Sequence, residues 1–390
     1  MREKVNKVIA VIALALVFVF AAVNFKNFKA NMESVDISWS NENLVAQLSD
    51  VESQYQTGFV GRKEFIDLYG VIQHGLNKCI FDNFSFMVDK KGIFHSTEYY
   101  TYDCEGFAAE MASLKDVLDK RGIPLLYVQA PNKEFYNIDP DMETFSYENE
   151  IVAEAMKCME GRSIQMLDMR NCIASDYTGS LDELFFRTDF HMRTDPELWL
   201  ANNMENYLSE NYDIIFDDQY LLTDMDNYEK KSYPFFGNLS RSVGRLYESP
   251  DMFDIYYPKF ETDFTVTDWE DDSVYEGDFR SVLMNHYEDD NPNLETYWIT
   301  DYLRYGYPGY KIKNNLNPDG AKILVITDSM GYRSFAYMSL TVGELTVVDP
   351  RYFNGNDYMT KTLLNDNYDI VLVYQAKSLL NTKFNISVSQ

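Results

Sequence analysis

Three side chains in this sequence have the types and spacing of a serine nucleophile with its base. Ser329 follows a strand-like run, 321–326 (AKILVI), and precedes a helix-like stretch, so it lies on the kind of turn where an α/β hydrolase presents its nucleophile. Asp189 and His191 are two residues apart, and residues i and i+2 of an extended loop point the same way. A serine hydroxyl needs a base, and an imidazole oriented by a carboxylate commonly supplies it. We therefore predict that Ser329 attacks an acyl carbonyl while His191 transfers the proton and Asp189 orients the imidazole.

Three further polar residues are candidates for the oxyanion hole or for substrate binding. Arg351 and Asn356 follow the strand-like segment 344–349, and the carboxyl end of a strand suits a binding crevice. Lys133 comes just after a predicted strand and is expected to face the same crevice. Ordinary turn chemistry at Asn-Gly-Asn and a solvated lysine are the alternative interpretations. The backbone N–H of Ser329 is expected to be one oxyanion donor, and the second donor stays open.

The elements that position these residues alternate between strand and helix. Apolar spacing predicts helices over 103–121, 149–159, 196–208 and 332–340. Short apolar runs predict strands over 123–130, 163–168, 321–326, 344–349 and 368–374. This alternation predicts an α/β fold, a doubly wound parallel sheet with helices on both faces.

Residues 212–315 interrupt the alternation and are rich in Asp, Glu, Tyr and Phe. We interpret this segment as an irregular β-rich insertion. The chain has 30 tyrosines and 15% aromatic residues, so the segment is either a platform for sugar rings or ordinary β-rich structure. Its acidic run 268–278 lacks the glycine and glutamate spacing of a calcium loop, and we predict no metal site.

The N-terminal residues predict attachment to a membrane. The uncharged run 8–23 (VIAVIALALVFVFAAV) follows three basic residues and lacks a clear cleavage site, which favours an uncleaved signal anchor over a removed signal peptide. We predict an anchor over 1–29, a juxtamembrane stalk over 30–80, and a catalytic domain over 81–390 outside the cytoplasm.

Charge and cysteine content narrow the function classes. The chain has 62 acidic and 34 basic residues and a formal charge of −28, which repels polyanions and argues against a nucleic acid partner. Its four cysteines form no C-x-x-C pair, so a zinc site built from sulfur is not expected. One or two disulfides and isolated buried thiols both stay open.

An ordered set of segments resembles a known family. The segments are 86–94 (FMVDKKGIF), 123–136 (IPLLYVQAPNKEFY), 185–192 (FFRTDFHM), 235–240 (FFGNLS), 323–330 (ILVITDSM) and 347–353 (VVDPRYF). They resemble SGNH-hydrolase-like proteins of the alginate O-acetyltransferase type and their DHHW-motif relatives. In that family Asp-x-His precedes the serine because the sheet is circularly permuted, and this chain has the same order. Thr327 replaces the glycine of G-D-S, and Phe190 and Met192 replace the His and Trp of D-H-H-W.

This resemblance implies a membrane-anchored O-acetyltransferase outside the cytoplasm. Ser329 would accept an acetyl group, delivered by a multipass membrane acyltransferase, and pass it to a hydroxyl of a cell-surface or secreted polysaccharide. No diffusible cofactor is implied. Two alternatives stay open: a carbohydrate acetyl esterase of the same fold, and a non-catalytic glycan-binding or assembly subunit.

Overall fold

The computed structural model describes residues 2–32, 59–97, 101–137, 146–217, 219, 221–269, 271–288, 292–294, 296–303, 309–352, 366–377 and 380. The chain divides into two compact units. The smaller unit comprises Met1–Asn77 with Ser242–Tyr247, and the larger comprises Lys78–Arg241 with Glu248–Gln390. The boundaries proposed for anchor, stalk and catalytic domain stay predictions.

The smaller unit contains two helices, α1 (Arg2–Met32) and α2 (Arg62–Gly75). The side chain of Asp67 in α2 accepts hydrogen bonds from the backbone N–H of Arg245 at 2.9 Å and from its Nε at 3.0 Å. A charge-assisted pair of this kind connects two stretches of chain that are distant in sequence.

No helix among the described residues combines the length and the apolarity that crossing a bilayer requires. The anchor over 1–29 therefore stays a prediction. Most of the predicted stalk, 33–58, lies outside the described residues.

The larger unit contains all of the strands and the remaining helices of the described residues. Its strands are β1 (Ile80–Phe81), β2 (Phe86–Val88), β3 (Phe94–Ser96), β4 (Leu125–Gln129), β5 (Gln165–Asp168), β6 (Tyr228–Phe235), β7 (Asp251–Pro258), β8 (Phe264–Asp268), β9 (Val274–Gly277), β10 (Gly309–Asn314), β11 (Lys322–Thr327), β12 (Glu344–Val348) and β13 (Ile370–Gln375). Its α-helices are α3 (Cys104–Asp119), α4 (Lys133–Asn137), α5 (Glu148–Glu160), α6 (Met169–Asp176), α7 (Thr194–Tyr212), α8 (Asn238–Val243), α9 (Phe279–Leu283) and α10 (Tyr332–Met338). The last two residues of α8 belong to the smaller unit.

An eight-stranded central sheet organises this unit, in the order β5, β4, β13, β11, β12, β10, β8, β9. The first five strands are parallel, as the alternation of strands and helices predicts. The last three pair antiparallel, so the fold is a mixed α/β fold with a mostly parallel sheet. The β1–β2–β3 and β6–β7 sheets are separate and small.

Both faces of the central sheet are covered. Successive residues of a strand point to opposite faces, and in β4 Leu126 and Val128 join the apolar cluster that contains residues of α7 and α10. Leu125 and Tyr127 join a second cluster with residues of α3 and α5. A strand buried on both faces is apolar throughout, which explains why the runs at β4, β11 and β13 are readable in the sequence.

The segment 212–315 is not separate from the sheet. It supplies β8, β9 and β10, which extend the central sheet beyond β12, and it supplies the β6–β7 hairpin. The interpretation of this segment as β-rich agrees with the strands it forms, while its status as an insertion stays a prediction. All four cysteines are free, so the structure supports the alternative of unpaired thiols.

Candidate active site

Ser329, His191 and Asp189 lie together at the carboxyl end of the parallel strands. Ser329 follows β11 by two residues, and its Oγ lies 3.2 Å from Nε2 of His191. The other ring nitrogen, Nδ1, lies 2.7 Å from Oδ1 of Asp189. His191 and Asp189 are buried, whereas Ser329 is partly exposed. The structure thus brings together the three residues that the sequence singled out.

The Asp189 carboxylate is held by four donors. Oδ1 accepts from the backbone N–H of His191 at 3.0 Å as well as from its ring, and Oδ2 accepts from the Asn238 N–H at 2.7 Å and from the Tyr297 hydroxyl at 3.0 Å. Burial alone would raise the pKa of Asp189, but the His191 ring and these hydrogen bonds lower it to about 2. An ionised Asp189 only accepts, so Nδ1 of His191 carries the proton and Nε2 is left to accept the Ser329 hydroxyl proton.

Gly237 lets the chain approach the Asp189–His191 loop closely. A Cβ at this position would lie 2.3 Å from the Thr188 carbonyl oxygen and 2.6 Å from Cβ of Asp189. The Gly237 N–H donates to Oγ1 of Thr188 at 2.9 Å, and this close approach lets the next residue, Asn238, donate to Asp189. Only glycine provides this room, which gives the FFGN stretch a physical role.

Lys133 fixes the same loop from the other side. Its buried ammonium group donates to the backbone carbonyls of Phe186 at 2.6 Å, Arg187 at 3.1 Å and Asp189 at 2.9 Å. Burial lowers the pKa of Lys133, against the opposing effect of nearby carboxylates. Because an ammonium group has three protons and all three are engaged, Lys133 positions the loop instead of offering a donor to substrate.

Arg333 connects the helix after the serine to the residue after the histidine. Its Nη2 donates to the Met192 carbonyl at 2.5 Å and to Oε1 of Glu197 at 2.6 Å. Arg333 lies in α10 and Glu197 lies in α7, so this buried pair sets the spacing between the two helices that flank the site.

A cleft of about 270 Å³ opens beside Ser329. It is lined by Ser96, Asn132, Lys133, Glu134, Glu148, Phe190, Asp328, Ser329, Met330, Arg351, Ala376 and Lys377. Arg351 is oriented by the buried Asp349, whose oxygens its Nε meets at 2.9 Å and 3.2 Å. The predicted candidate Asn356 lies outside the described residues.

The backbone N–H of Ser329 is available to an oxyanion. Among the described residues it has no hydrogen-bond partner, while the next two N–H groups, of Met330 and Gly331, bond to Asp328 at 2.9 Å and 3.1 Å. The Ser329 N–H therefore stays the candidate oxyanion donor that the sequence predicted.

Several of the residues that build the site have no signal of their own in the sequence. Gly237, Asn238 and Tyr297 are more than 45 positions from Asp189, and Arg333 has the sequence setting of any helix residue. The FFGN stretch was recognisable only as a similar segment. In the described ranges, no group of three or more His, Cys, Asp or Glu side chains is arranged to hold a metal ion.

Comparison with known proteins gives structural similarity only. No family model and no curated protein matches this chain. Bacillus cereus PatB1, in a structure with a sulfonyl adduct, has 16% identity and a TM-score of 0.60, covering 77% of this chain and 98% of that one. A DHHW family protein from Eubacterium siraeum DSM 15702 also has 16% identity and a TM-score of 0.60, covering 80% and 99%.

The O-acetyltransferase domain of Pseudomonas putida AlgJ is less similar in structure. It has 12% identity and a TM-score of 0.43, covering 76% of this chain and 92% of that one. Similarities at these identities concern the fold. The resemblance to DHHW-motif proteins predicted from the sequence is thereby confirmed: this chain has the fold of a DHHW family protein and of PatB1.

Proposed function

We propose that this protein is a serine-dependent O-acetyltransferase that acts on a carbohydrate hydroxyl. The observation that carries the proposal is the pair of contacts that joins Asp189, His191 and Ser329, with the serine open to a cleft. A buried carboxylate, an imidazole and an accessible hydroxyl in this order activate the hydroxyl for attack on an ester.

In the first half-reaction, Oγ of Ser329 attacks the acetyl carbonyl of the donor. The hydroxyl proton moves to Nε2 of His191, and Asp189 stabilises the imidazolium that forms. The Ser329 N–H receives the developing oxyanion, and Arg351 at the cleft is the candidate second donor. The tetrahedral intermediate then breaks: the donor's alcohol or thiol leaves with the proton from Nε2, and acetyl-Ser329 remains.

In the second half-reaction, a sugar hydroxyl attacks acetyl-Ser329. Its proton moves to Nε2 of His191, the new C–O bond forms, and Oγ of Ser329 leaves and takes the proton back. Water in place of the sugar gives hydrolysis by the same steps. Transferase and esterase therefore differ in which hydroxyl reaches the acetyl group, and water exclusion from the cleft decides between them.

The test uses the full-length chain purified in mild detergent. A sulfonyl fluoride is a suitable probe because the PatB1 structure contains a sulfonyl adduct and sulfonyl groups react with activated nucleophiles. We expect one sulfonyl group on Ser329 by peptide mass spectrometry. Ser329→Ala and His191→Ala should lower kcat for p-nitrophenyl acetate by roughly 10³-fold or more.

Ser113→Ala is the matched control, because Ser113 is exposed on α3 and lies outside the site. Turnover that survives in Ser329→Ala would exclude the serine mechanism. Glycan binding without any turnover in the wild type would instead favour the non-catalytic alternative.

We further propose that the acetyl donor reaches the protein through a multipass membrane acyltransferase, that the acceptor belongs to a polysaccharide, and that the larger unit lies outside the cytoplasm behind an N-terminal anchor. The run 8–23 in the sequence motivates the last point. Protease treatment of intact cells tests it: digestion of the larger unit is expected, and complete protection would contradict the proposed location.

A further inference from the structure

A second group of polar side chains lines the cleft beside Ser329. Asn132 and Glu134 are 2% and 4% exposed, and Glu148 is buried beside them. They come from the β4–α4 turn, α4 and the start of α5, whereas the Asp189–His191 loop comes from a different part of the fold. Asn132 and Glu134 take no part in the two half-reactions described above.

Two oxygen atoms of this group have no hydrogen-bond partner among the described residues: Oδ1 of Asn132 and Oε1 of Glu134. A hydrogen-bond chain fixes the amide of Asn132. Asn149 donates through Nδ2 to the Glu134 carbonyl at 3.4 Å and accepts through Oδ1 from Nδ2 of Asn132 at 3.2 Å. The oxygen of Asn132 is therefore the end that stays unpaired.

A buried oxygen without a hydrogen-bond donor loses its hydration and gains nothing in return, which is unfavourable. Native proteins leave few such atoms, and those at a cleft indicate a missing donor. Both atoms belong to side chains that line the cleft, so a bound molecule that carries two hydrogen-bond donors would satisfy them. A ligand with neighbouring N–H or O–H groups would therefore fit this part of the cleft.

The charges of this group select against an ionic ligand. Lys377 Nζ lies 2.8 Å from Oε2 of Glu148, so these two groups neutralise each other. Burial, with a further contribution from Glu148, raises the pKa of Glu134 above its ordinary value, which favours the uncharged carboxyl group. Within this group Glu148 is already paired with Lys377, so an ammonium group of a ligand gains no unpaired carboxylate from it. Lys133 directs its three N–H groups to backbone carbonyls, so it has no donor left for a carboxylate of a ligand.

We propose that Asn132 and Glu134 form the acceptor subsite, where two neighbouring hydroxyl groups of an uncharged sugar bind while a third hydroxyl attacks acetyl-Ser329. This inference rests on the proposed function. A hydroxyl both donates and accepts, so it pairs with Asn132 as donor and with Glu134 as donor or acceptor. In the transfer step a bond forms between the attacking sugar oxygen and the acetyl carbonyl carbon, and the bond from that carbon to Oγ of Ser329 breaks. The proton of the sugar hydroxyl passes through His191 to Oγ.

The experiment measures how acetyl groups divide between sugar and water. The full-length chain receives p-nitrophenyl acetate with cellopentaose, with a fully deacetylated chitosan pentamer, or with an oligogalacturonate, and mass spectrometry quantifies the acetylated oligosaccharide. Glu134→Ala and Asn132→Ala remove the two oxygens, and Glu134→Gln keeps a hydrogen-bonding group of the same shape. Glu150→Gln, exposed on α5, is the matched control.

We expect transfer to cellopentaose to exceed transfer to either charged oligosaccharide. The ratio of transfer to hydrolysis should fall at least about fivefold in Glu134→Ala and Asn132→Ala, through a higher acceptor KM, and should recover in Glu134→Gln. Thermal melting checks that each variant folds, and Asn132→Ala keeps the test decisive if Glu134→Ala does not fold.

Three outcomes would overturn the subsite: a preference for a charged acceptor, equal partitioning in Glu134→Ala and wild type, or hydrolysis that depends on Ser329 without transfer to any acceptor. A wild-type protein that does not turn over p-nitrophenyl acetate at all would be a different result. It would overturn the proposed function itself, and the two failures are thereby distinguished.

Discussion

Asp189 and Glu134 belong to two regions beside the same cleft, and their carboxyl groups differ in hydrogen bonding and in the direction of their pKa shifts. Asp189 receives four hydrogen bonds, is ionised, and holds the His191 ring in one orientation. Glu134 keeps one buried oxygen without a partner among the described residues, and burial raises its pKa instead of lowering it. Lys133, the neighbour of Glu134 in sequence, supports the Asp189 region, so adjacent residues serve the two regions.

The difference separates a preorganised group from a group that awaits a ligand. A carboxylate whose bonds are complete before substrate arrives needs no reorganisation during the reaction, which favours catalysis. A carboxyl group with an unmet bond gains one when ligand binds, which favours recognition. Damage to the first region should slow every acyl substrate, and damage to the second should affect only the choice of acceptor.

The largest expected effect comes from Asp189→Asn. An amide cannot stabilise the imidazolium, and its N–H₂ group competes with Nδ1–H of His191, so the ring loses the tautomer that receives the serine proton. We expect kcat for p-nitrophenyl acetate to fall by roughly 10³- to 10⁴-fold, with little change in KM. Steady-state kinetics between pH 6 and pH 9 measure both constants.

Asp182→Asn is the control for Asp189→Asn. Asp182 is an exposed aspartate paired with Lys91 at 3.3 Å, and its variant should match the wild type. A loss below about tenfold in Asp189→Asn would show that the carboxylate does not orient the base. The contrast between the two regions would then lose its catalytic half.

The parallel part of the fold and the proximity of Asp189, His191 and Ser329 were predictable from sequence. Strand β11 was expected over 321–326 and spans Lys322–Thr327, because a strand buried on both faces is continuously apolar. Ser329 was expected on the turn after it. These features are local, so spacing and composition encode them.

The supporting contacts were not predictable because they join distant positions. Nothing near Gly237 in sequence indicates that its backbone lies against Thr188, 49 residues away. Lys133 was expected to face the crevice, but spacing does not tell which carbonyls its ammonium group meets. The antiparallel pairing of β8, β9 and β10 also depends on long-range partners, whose choice a half-buried pattern does not specify.

Gly237→Ala should have the next largest effect, because it disturbs the Asp189–His191 loop without removing a polar group. The new Cβ would overlap the Thr188 carbonyl oxygen, so the backbone must shift and the bond from Asn238 to Asp189 must lengthen. We expect kcat to fall by about 10²-fold and the free energy of unfolding to fall by about 1–3 kcal/mol.

Kinetics and urea unfolding measure the effects of Gly237→Ala. Gly75→Ala is the control, since a Cβ there has no atom within 4 Å. Full activity in Gly237→Ala would show that the Asp189–His191 loop tolerates displacement and that its hydrogen bonds do not fix the geometry.

Lys133→Met should give a smaller kinetic effect and a clear loss of stability. Methionine keeps much of the apolar stem but leaves the carbonyls of Phe186, Arg187 and Asp189 without the ammonium donor. We expect the free energy of unfolding to fall by about 2–4 kcal/mol and kcat by about tenfold. Lys157→Met, at an exposed position of α5, is the control, and an unchanged urea midpoint in Lys133→Met would contradict the positioning role.

The smallest expected effect concerns how the free energy of unfolding depends on pH, and it tests the region around Glu134. Burial raises the pKa of Glu134 on folding above its ordinary value of 4.5, so the folded protein binds more protons than the unfolded chain between the unfolded and the folded pKa. The contribution of Glu134 to stability is complete below pH 4.5 and is lost as pH rises through the folded pKa. Glu134→Gln should therefore reduce the decline in unfolding free energy between pH 5 and pH 8 by at least about 1 kcal/mol.

Glu205→Gln is the control for Glu134→Gln. Burial also raises the pKa of Glu205 to about 8. This carboxyl group lies outside the cleft and accepts a hydrogen bond from the Thr341 hydroxyl at 2.6 Å. Urea unfolding at fixed ionic strength should show a flatter pH dependence in both variants, while transfer to cellopentaose should remain as in wild type in Glu205→Gln. An unaltered slope in Glu134→Gln would mean that Glu134 is ionised in the folded protein at neutral pH. A charged carboxylate would attract a cationic acceptor, and the case for an uncharged sugar would then fail.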